Sequence, residues 1–163
     1  MGLDNIPKNY PCRTKGTAVL EVRRDEEGRA FRDPDTNEEL TRIDCQATQA
    51  CGGCPWKNAY EAAYLEAGPT TGIFGTDCWY RGKYGNYLLE QLSIIDPSGD
   101  GESFYGDNED GTEKSPESCQ TLAEMIDEAL ADQFVPEIAA DARYAAWWLR
   151  WVADEADGSV CWY

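Results

Sequence analysis

The sequence contains no histidine. This absence excludes Ser-His-Asp triads, Cys-His nucleophile activation, His-Glu-x-x-His zinc hydrolysis and Cys₂His₂ zinc fingers, because each of them needs an imidazole. The sequence also lacks Gly-x-x-x-x-Gly-Lys-Ser/Thr and Gly-x-Gly-x-x-Gly stretches, two common phosphate-binding loops. Carboxylate chemistry stays open, but most familiar enzyme classes are excluded. We therefore favour a protein that is not an enzyme.

Long apolar runs and a secretion signal are also missing. The longest apolar runs span about six residues, as in Tyr144–Leu149, whereas a membrane-spanning helix needs about 20. The stretch Met1–Asn5 has neither the basic nor the apolar region of a signal peptide. We therefore predict a soluble protein of the cytoplasm, or of the host cell or virion if its source is viral.

Basic residues are scarce. The chain of 163 residues has 14 Lys and Arg against 31 Asp and Glu, which gives a formal net charge of -17. Excess carboxylates keep a protein hydrated and apart from its neighbours at high salt, where charges are screened within a few ångströms. We interpret this composition as that of a halophilic archaeon or its virus. The alternative is an acidic inhibitor protein that mimics DNA.

The acidity is unevenly distributed along the chain. Residues 1–60 hold 10 acidic and 9 basic side chains, whereas residues 61–163 hold 21 acidic and 5 basic ones. A surface adapted to salt alone should be acidic everywhere, so the near-neutral part needs its own explanation. We predict that its arginines contact a protein partner, nucleic acid or the acidic half of the chain. The predicted contact residues are Arg23, Arg24, Arg29 and Arg32.

Seven cysteines without a secretion signal favour metal ligands or reduced thiols over a disulfide framework. Cys51-Gly-Gly-Cys54 can chelate one metal ion through a tight turn that its glycines allow. A tetrahedral zinc needs four ligands, and without histidine all four must be thiolates. The predicted ligands of a structural zinc are Cys12, Cys45, Cys51 and Cys54.

The path of residues 17–44 decides how this site would close. Cys12-Arg-Thr-Lys-Gly16 resembles the Cys-x-x-Cys-Gly knuckle of zinc ribbons, with Lys15 in place of the second cysteine. A two-stranded hairpin over residues 17–44, which we favour, brings Cys12 and Cys45 together at its base. A regular three-stranded meander would separate them and make Cys78 the better fourth ligand.

Two other interpretations of the cysteines stay open. Cys51 and Cys54 precede a predicted helix, whose dipole would lower their pKa values as in a thiol oxidoreductase. The polar stretch before them is unlike the apolar strand that leads into such a motif. The cysteines could also carry no metal, either unligated or joined in disulfides. For Cys119 and Cys161 we predict buried, inert thiols.

The pattern of elements predicts an α+β fold. A small Cys-rich antiparallel β unit, zinc-ribbon-like, covers residues 1–54, and an acidic helical body with a C-terminal strand covers 55–163, together in one compact domain. The predicted strands are 17–22, 29–32, 40–43 and 159–163, with a possible short one at 103–105 that pairs with the last. The predicted helices are 55–67, 78–93, 116–132 and 136–156. In the second helix Tyr84 and Tyr87 are assigned to the apolar side, and one of its glycines, Gly82 or Gly85, is expected to be needed for close packing.

Overall fold

A computed structural model describes residues 3–44, 47, 48, 78, 80–133 and 136–162. The fold combines helices and strands, with a small antiparallel sheet beside a helical body, as predicted. The strands are β1 (Asp4–Pro7), β2 (Leu20–Val22), β3 (Thr41–Ile43), β4 (Tyr80–Arg81), β5 (Glu113–Lys114) and β6 (Ser159–Trp162). The helices are α1 (Pro11–Thr14), α2 (Gly82–Gln91), α3 (Pro116–Asp132) and α4 (Pro136–Glu155). The helix predicted at 55–67 lies outside the described residues.

Helices α3 and α4 confirm two predictions made from apolar periodicity. Helix α3 begins after Ser115, whose hydroxyl accepts a hydrogen bond from the Ser118 N–H at 3.1 Å, and Pro116 occupies its first turn. Helix α4 lies at the centre of the core, and its fully buried side chains include Tyr144, Trp148 and Val152. An aromatic stripe on this helix therefore fills the core.

The main sheet has four antiparallel strands in the order β4-β1-β6-β5. The C-terminal strand β6 pairs with β1 and β5, so the predicted pairing with the stretch around Phe104 is wrong. Residues 103–105 form no strand, and the Phe104 side chain is buried in the core instead. In the core the Phe104 ring stacks on Tyr80, with 5.1 Å between the ring centroids.

Helix α2 is rotated relative to the prediction. The glycines lie on its buried side, where a Cβ added at Gly85 would be 2.6 Å from Cε2 of Phe104. This confirms the close packing expected at one glycine, and Gly82 is also tightly enclosed, since a Cβ added there would be 2.9 Å from Cβ of Phe104. Leu88 and Leu89 continue the buried side, which turns Tyr84 and Tyr87 outward. Their assignment to the apolar side was therefore wrong, because two glycines rather than two tyrosines face the core.

Residues 19–44 form an arm, a long hairpin whose strands β2 and β3 make a second sheet. Isolated bridges Arg24↔Ala30 and Arg32↔Glu39 fold its tip into two inner turns. The two-stranded hairpin that we favoured is therefore present. The strand predicted at 29–32 is reduced to these bridges, because each of its ends turns back within the tip.

The segment before the arm is joined to the helical body. Strand β1 lies between β4 and β6, and the Lys8 ammonium is 2.9 Å from the Glu113 carboxylate. Lys15 likewise pairs with Glu155 at 3.1 Å. The predicted boundary near residue 54 falls outside the described residues and stays a prediction. Among the helices that the structure describes, none is both long and apolar enough to cross a membrane.

Candidate functional site

Of the four predicted zinc ligands, the structure describes Cys12. This residue is buried in α1, and its carbonyl accepts hydrogen bonds from the N–H groups of Thr17 and Ala18 at 2.8 and 3.1 Å. Gly16 lies in the left-handed region at φ +70°, which closes the turn after α1. Cys45, Cys51 and Cys54 lie outside the described residues. The described part of the chain holds no cluster of three potential metal ligands, so the zinc site stays a prediction.

Cys78, the alternative fourth ligand, is fixed in the core. Its side chain is buried, and its carbonyl accepts a hydrogen bond from Nε1 of Trp148 at 3.0 Å. The backbone of Cys78 has a positive φ of 57°, which is uncommon for residues other than glycine. The hairpin form of the arm is the arrangement in which Cys45 rather than Cys78 was expected to complete the site.

Cys119 and Cys161 are both buried, as predicted. Burial raises the pKa of the Cys119 thiol to about 11, and the hydrogen bond with Ser159 opposes this rise. The Cys119 sulfur lies 3.9 Å from the Ser159 hydroxyl and from the Lys114 carbonyl. A thiol that stays protonated at neutral pH is a poor nucleophile. Cys119 is therefore suited to packing and not to redox chemistry.

Three arginines of the arm pair with carboxylates of the arm itself. Arg29 contacts both Asp25, at 2.8 Å, and Glu27. The guanidinium of Arg32 lies 3.1 Å from Glu39, and Arg42 pairs with Glu21 across the strands. Such exposed pairs contribute at most about 1 kcal/mol each. The ion-pair partners of these three arginines therefore lie within the arm itself.

Arg23 and Arg24 differ from these three arginines. The Arg23 guanidinium lies over the Phe31 ring, 5.7 Å from its centroid, and Arg24 donates a hydrogen bond to the Gly28 carbonyl at 2.9 Å. Among the described residues no carboxylate forms an ion pair with either guanidinium. Two of the four predicted contact arginines therefore keep their charge available at the surface.

The turns of the arm are held by two aspartates. The Asp25 carboxylate accepts the backbone N–H groups of Arg29 and Glu27 at 2.8 and 3.0 Å. Hydrogen bonds from the backbone and then the side chain of Arg29 lower the pKa of Asp25. Asp33 accepts the N–H groups of Thr36 and Asp35 in the second turn, which lowers its pKa in the same way. The arm thus has a defined shape of its own.

The arm also exposes three apolar side chains. Val19, Leu20 and Phe31 are 43%, 50% and 46% exposed, respectively. Sequence reasoning missed them because a strand pattern shows which residues alternate but not whether a second layer covers either face. The sequence does offer one signal of this exposure, namely apolar residues within the highly charged segment 19–44.

No protein-family model matches this chain, and no curated protein or solved structure matches it either. Its function is therefore inferred from its own surfaces.

Proposed function

We propose that this chain is a non-enzymatic interaction or regulatory protein of a halophilic archaeon or its virus, which binds a partner protein through the arm. The observation that carries the proposal is the exposure of Val19, Leu20 and Phe31 on the arm, whose two-stranded sheet is separate from the four-stranded one. Exposed apolar surface rimmed by polar residues marks interaction sites. Aromatic and arginine side chains are also enriched at the centres of interfaces.

The charge of the arm favours a protein partner over nucleic acid. Residues 19–44 carry nine acidic side chains and five arginines, and three of those arginines pair within the arm. Binding to a phosphate backbone needs an uncompensated positive surface. Arg23 beside Phe31 instead offers a mixed apolar and cationic contact. Arg24 adds a second cation, while Arg29 and Arg32 hold the arm in shape.

The proposal includes a structural zinc bound by Cys12, Cys45, Cys51 and Cys54. The buried Cys12 thiol in a closed turn just before the arm supports it. Thiolate ligands would give a closed site that contributes folding energy and leaves no open position for a substrate. We expect one zinc per chain in metal analysis and unfolding by chelators. Absence of metal together with a readily cycled Cys51–Cys54 disulfide would instead support a thiol oxidoreductase.

The arm is tested by chemical cross-linking in a host lysate at high salt, with partners identified by mass spectrometry. We expect one partner to be lost with the Leu20→Ser/Phe31→Ser variant and with Arg23→Glu/Arg24→Glu. The control Glu26→Gln/Glu38→Gln changes two exposed side chains of the same arm and should retain that partner. Equal recovery with all variants, each with an unchanged circular dichroism spectrum, would refute the proposal. If duplex DNA displaces the partner, the alternative of an acidic DNA mimic is favoured.

A further inference from the structure

The hydrogen bonds along the arm show which backbone groups of its first strand face β3. The Asp44 N–H donates to the Val19 carbonyl at 2.8 Å, and the Arg23 N–H donates to the Leu40 carbonyl at 2.9 Å. In an antiparallel pair, residues that are hydrogen-bonded across the strands alternate with residues whose N–H and C=O groups point away from the partner strand. Val19, Glu21 and Arg23 therefore turn their backbone groups towards β3.

The residues that alternate with these form a free strand edge. Leu20 and Val22 direct their N–H and C=O groups away from β3. The Phe31 N–H donates to the Arg23 carbonyl at 2.9 Å on the inner side, so the backbone groups of Arg24 point outward as well. Within the part of the chain that the structure describes, no hydrogen bond reaches the backbone of Leu20, Val22 or Arg24. We refer to these three residues as the outer edge of the arm.

The outer edge is accessible to solvent. Leu20 is 50% exposed, whereas Ile43, opposite it on the same face, is 1% exposed, so this face is covered towards β3 and open towards β2. Arg24 is exposed too, and the segment 19–24 has neither a proline nor a lysine, which often protect strand edges. A two-stranded sheet is marginally stable, and an exposed edge is a template for a further strand.

The outer edge is complementary to a second copy of itself. If two copies pair in antiparallel fashion about a two-fold axis at Val22, Leu20 lies opposite Arg24 of the second copy, and their outward backbone groups meet. Glu21 then lies opposite Arg23 of the second copy, and the symmetry repeats this pair. Opposite charges directly across two strands stabilise the pairing. The Arg23 guanidinium is available for it, because it forms no ion pair with a carboxylate of the described residues.

The same charges disfavour the neighbouring registers. An axis one residue earlier would place Glu21 opposite Glu21 of the second copy, and an axis one residue later would place Arg23 opposite Arg23. Like charges directly opposite each other destabilise a strand pair. The sequence of the edge thus favours one register of self-pairing.

We propose that two copies of this chain associate through the outer edge of the arm, so that their two-stranded sheets join into one four-stranded antiparallel sheet. This inference rests on the interaction role proposed for the arm and names a second copy of the chain as one partner. The net charge of -17 on each chain opposes association at low salt, and salt screens that repulsion. Dimerisation should therefore strengthen as potassium chloride is added.

Sedimentation equilibrium of the full chain in about 1 M potassium chloride, where the screening length is about 3 Å, measures the association. We expect a monomer–dimer equilibrium. Val22→Pro removes the outward N–H at the centre of the pairing but no hydrogen bond of the hairpin, and should weaken dimerisation about tenfold or more. The matched control Thr41→Pro removes an outward N–H from β3 instead and should dimerise as the unmodified protein does.

An exchange of charges tests the register without proline. Glu21→Arg/Arg42→Glu keeps opposite charges across the hairpin, where these two residues already pair, but it places like charges between the two copies. This variant should dimerise about tenfold more weakly. Adding Arg23→Glu restores opposite charges between the copies and should recover most of the lost affinity.

A protein that stays monomeric at millimolar concentration would overturn the inference, as would a dimer that withstands Val22→Pro. If both proline variants are monomeric, the charge exchange decides, and failure of Arg23→Glu to recover the dimer rules the register out. A monomer that still cross-links to its lysate partner through the arm would refute this inference alone. A dimer of the expected kind, with a lysate partner that no arm variant loses, would instead refute the binding of a different protein.

Discussion

At the scale of single residues, Gly85 shows packing overriding helix propensity. Alanine is favoured over glycine inside a helix by about 1 kcal/mol. At this position, however, the new methyl group would lie 2.6 and 2.7 Å from two carbons of the Phe104 ring. That ring is buried and stacked on Tyr80, so moving it aside would disturb core packing. The steric overlap therefore outweighs the gain in helix propensity, and alanine at position 85 should destabilise the protein.

We predict that Gly85→Ala lowers the free energy of unfolding by about 1–3 kcal/mol, the usual cost of overpacking. Urea denaturation followed by tryptophan fluorescence measures the change. The control is Gln91→Ala, an exposed position near the end of the same helix, where alanine should be neutral or slightly stabilising. A Gly85→Ala protein as stable as the unmodified one would show that Phe104 can be displaced without cost.

The buried thiol of Cys119 gives a prediction at alkaline pH. Its pKa is raised from 9.0 to about 11 in the folded protein by burial, so the folded state retains a proton that the unfolded state loses first. Between pH 9 and 11 the unfolded state therefore binds fewer protons, and the free energy of unfolding falls as pH rises. The contribution of this group is present in full below pH 9.

We expect the Cys119→Ala variant to lack this contribution to the slope. Relative to the variant, the unmodified protein should lose roughly 1 kcal/mol of stability per pH unit across this range. Any cavity left by the substitution adds a constant offset that does not vary with pH. Urea titrations at pH 8, 9 and 10 measure the difference, and parallel curves for the two proteins would contradict the assignment.

At the scale of elements, a helix or strand could be predicted when the residues that determine it lie within its own segment. Helices α3 and α4 were predicted because an N-terminal serine or proline and an apolar period lie within each segment. Strand β1 was not predicted, since Asp4–Pro7 has no alternation of apolar and polar residues and ends in proline. Its strand identity depends on β6, more than 150 residues away in the sequence. Pairing between such distant segments leaves no local signal.

The start of α3 supplies a test at this scale. Ser115→Ala removes the side-chain oxygen that accepts the Ser118 N–H, and loss of such a cap costs about 1 kcal/mol. Ser115→Thr keeps an oxygen acceptor and should restore most of the stability. Thermal unfolding followed by circular dichroism compares the three proteins. If Ser115→Thr were as unstable as Ser115→Ala, an oxygen acceptor at this position would not be enough to restore stability, and the capping explanation would fail.

At the scale of the whole molecule, the sequence predicted the uneven charge but not its arrangement. Counting showed that residues 1–60 are near neutral, and the structure shows that Arg29, Arg32 and Arg42 pair within the arm. Cysteine spacing suggested ligands, whereas their meeting in space is a tertiary property that spacing alone does not determine. The outward position of Tyr84 and Tyr87 was not predicted, because both residues fit an apolar helical pattern until the neighbouring glycines are seen to face the core.

The net charge of -17 makes stability depend on salt. Self-repulsion between carboxylates opposes the compact state, and it weakens as the screening length falls from about 10 Å at 0.1 M salt to about 3 Å at 1 M. We therefore expect the melting temperature to rise steadily with potassium chloride over this range. Few basic partners offset the repulsion in the helical body, where residues 96–141 hold 14 acidic side chains and Lys114.

A variant with less charge separates screening from general salting-out. The quadruple change Glu109→Gln, Asp110→Asn, Glu124→Gln and Glu128→Gln removes four exposed carboxylates from this stretch. If self-repulsion is the cause, the variant should melt higher than the unmodified protein at 0.1 M salt and respond less to added potassium chloride. The melting temperatures of the two proteins should converge near 1 M, because salt then screens the repulsion that the substitutions remove. If the melting temperatures of both proteins rose equally with salt, salt would act by strengthening apolar burial. The acidic surface would then serve hydration or binding and would not limit stability at low salt.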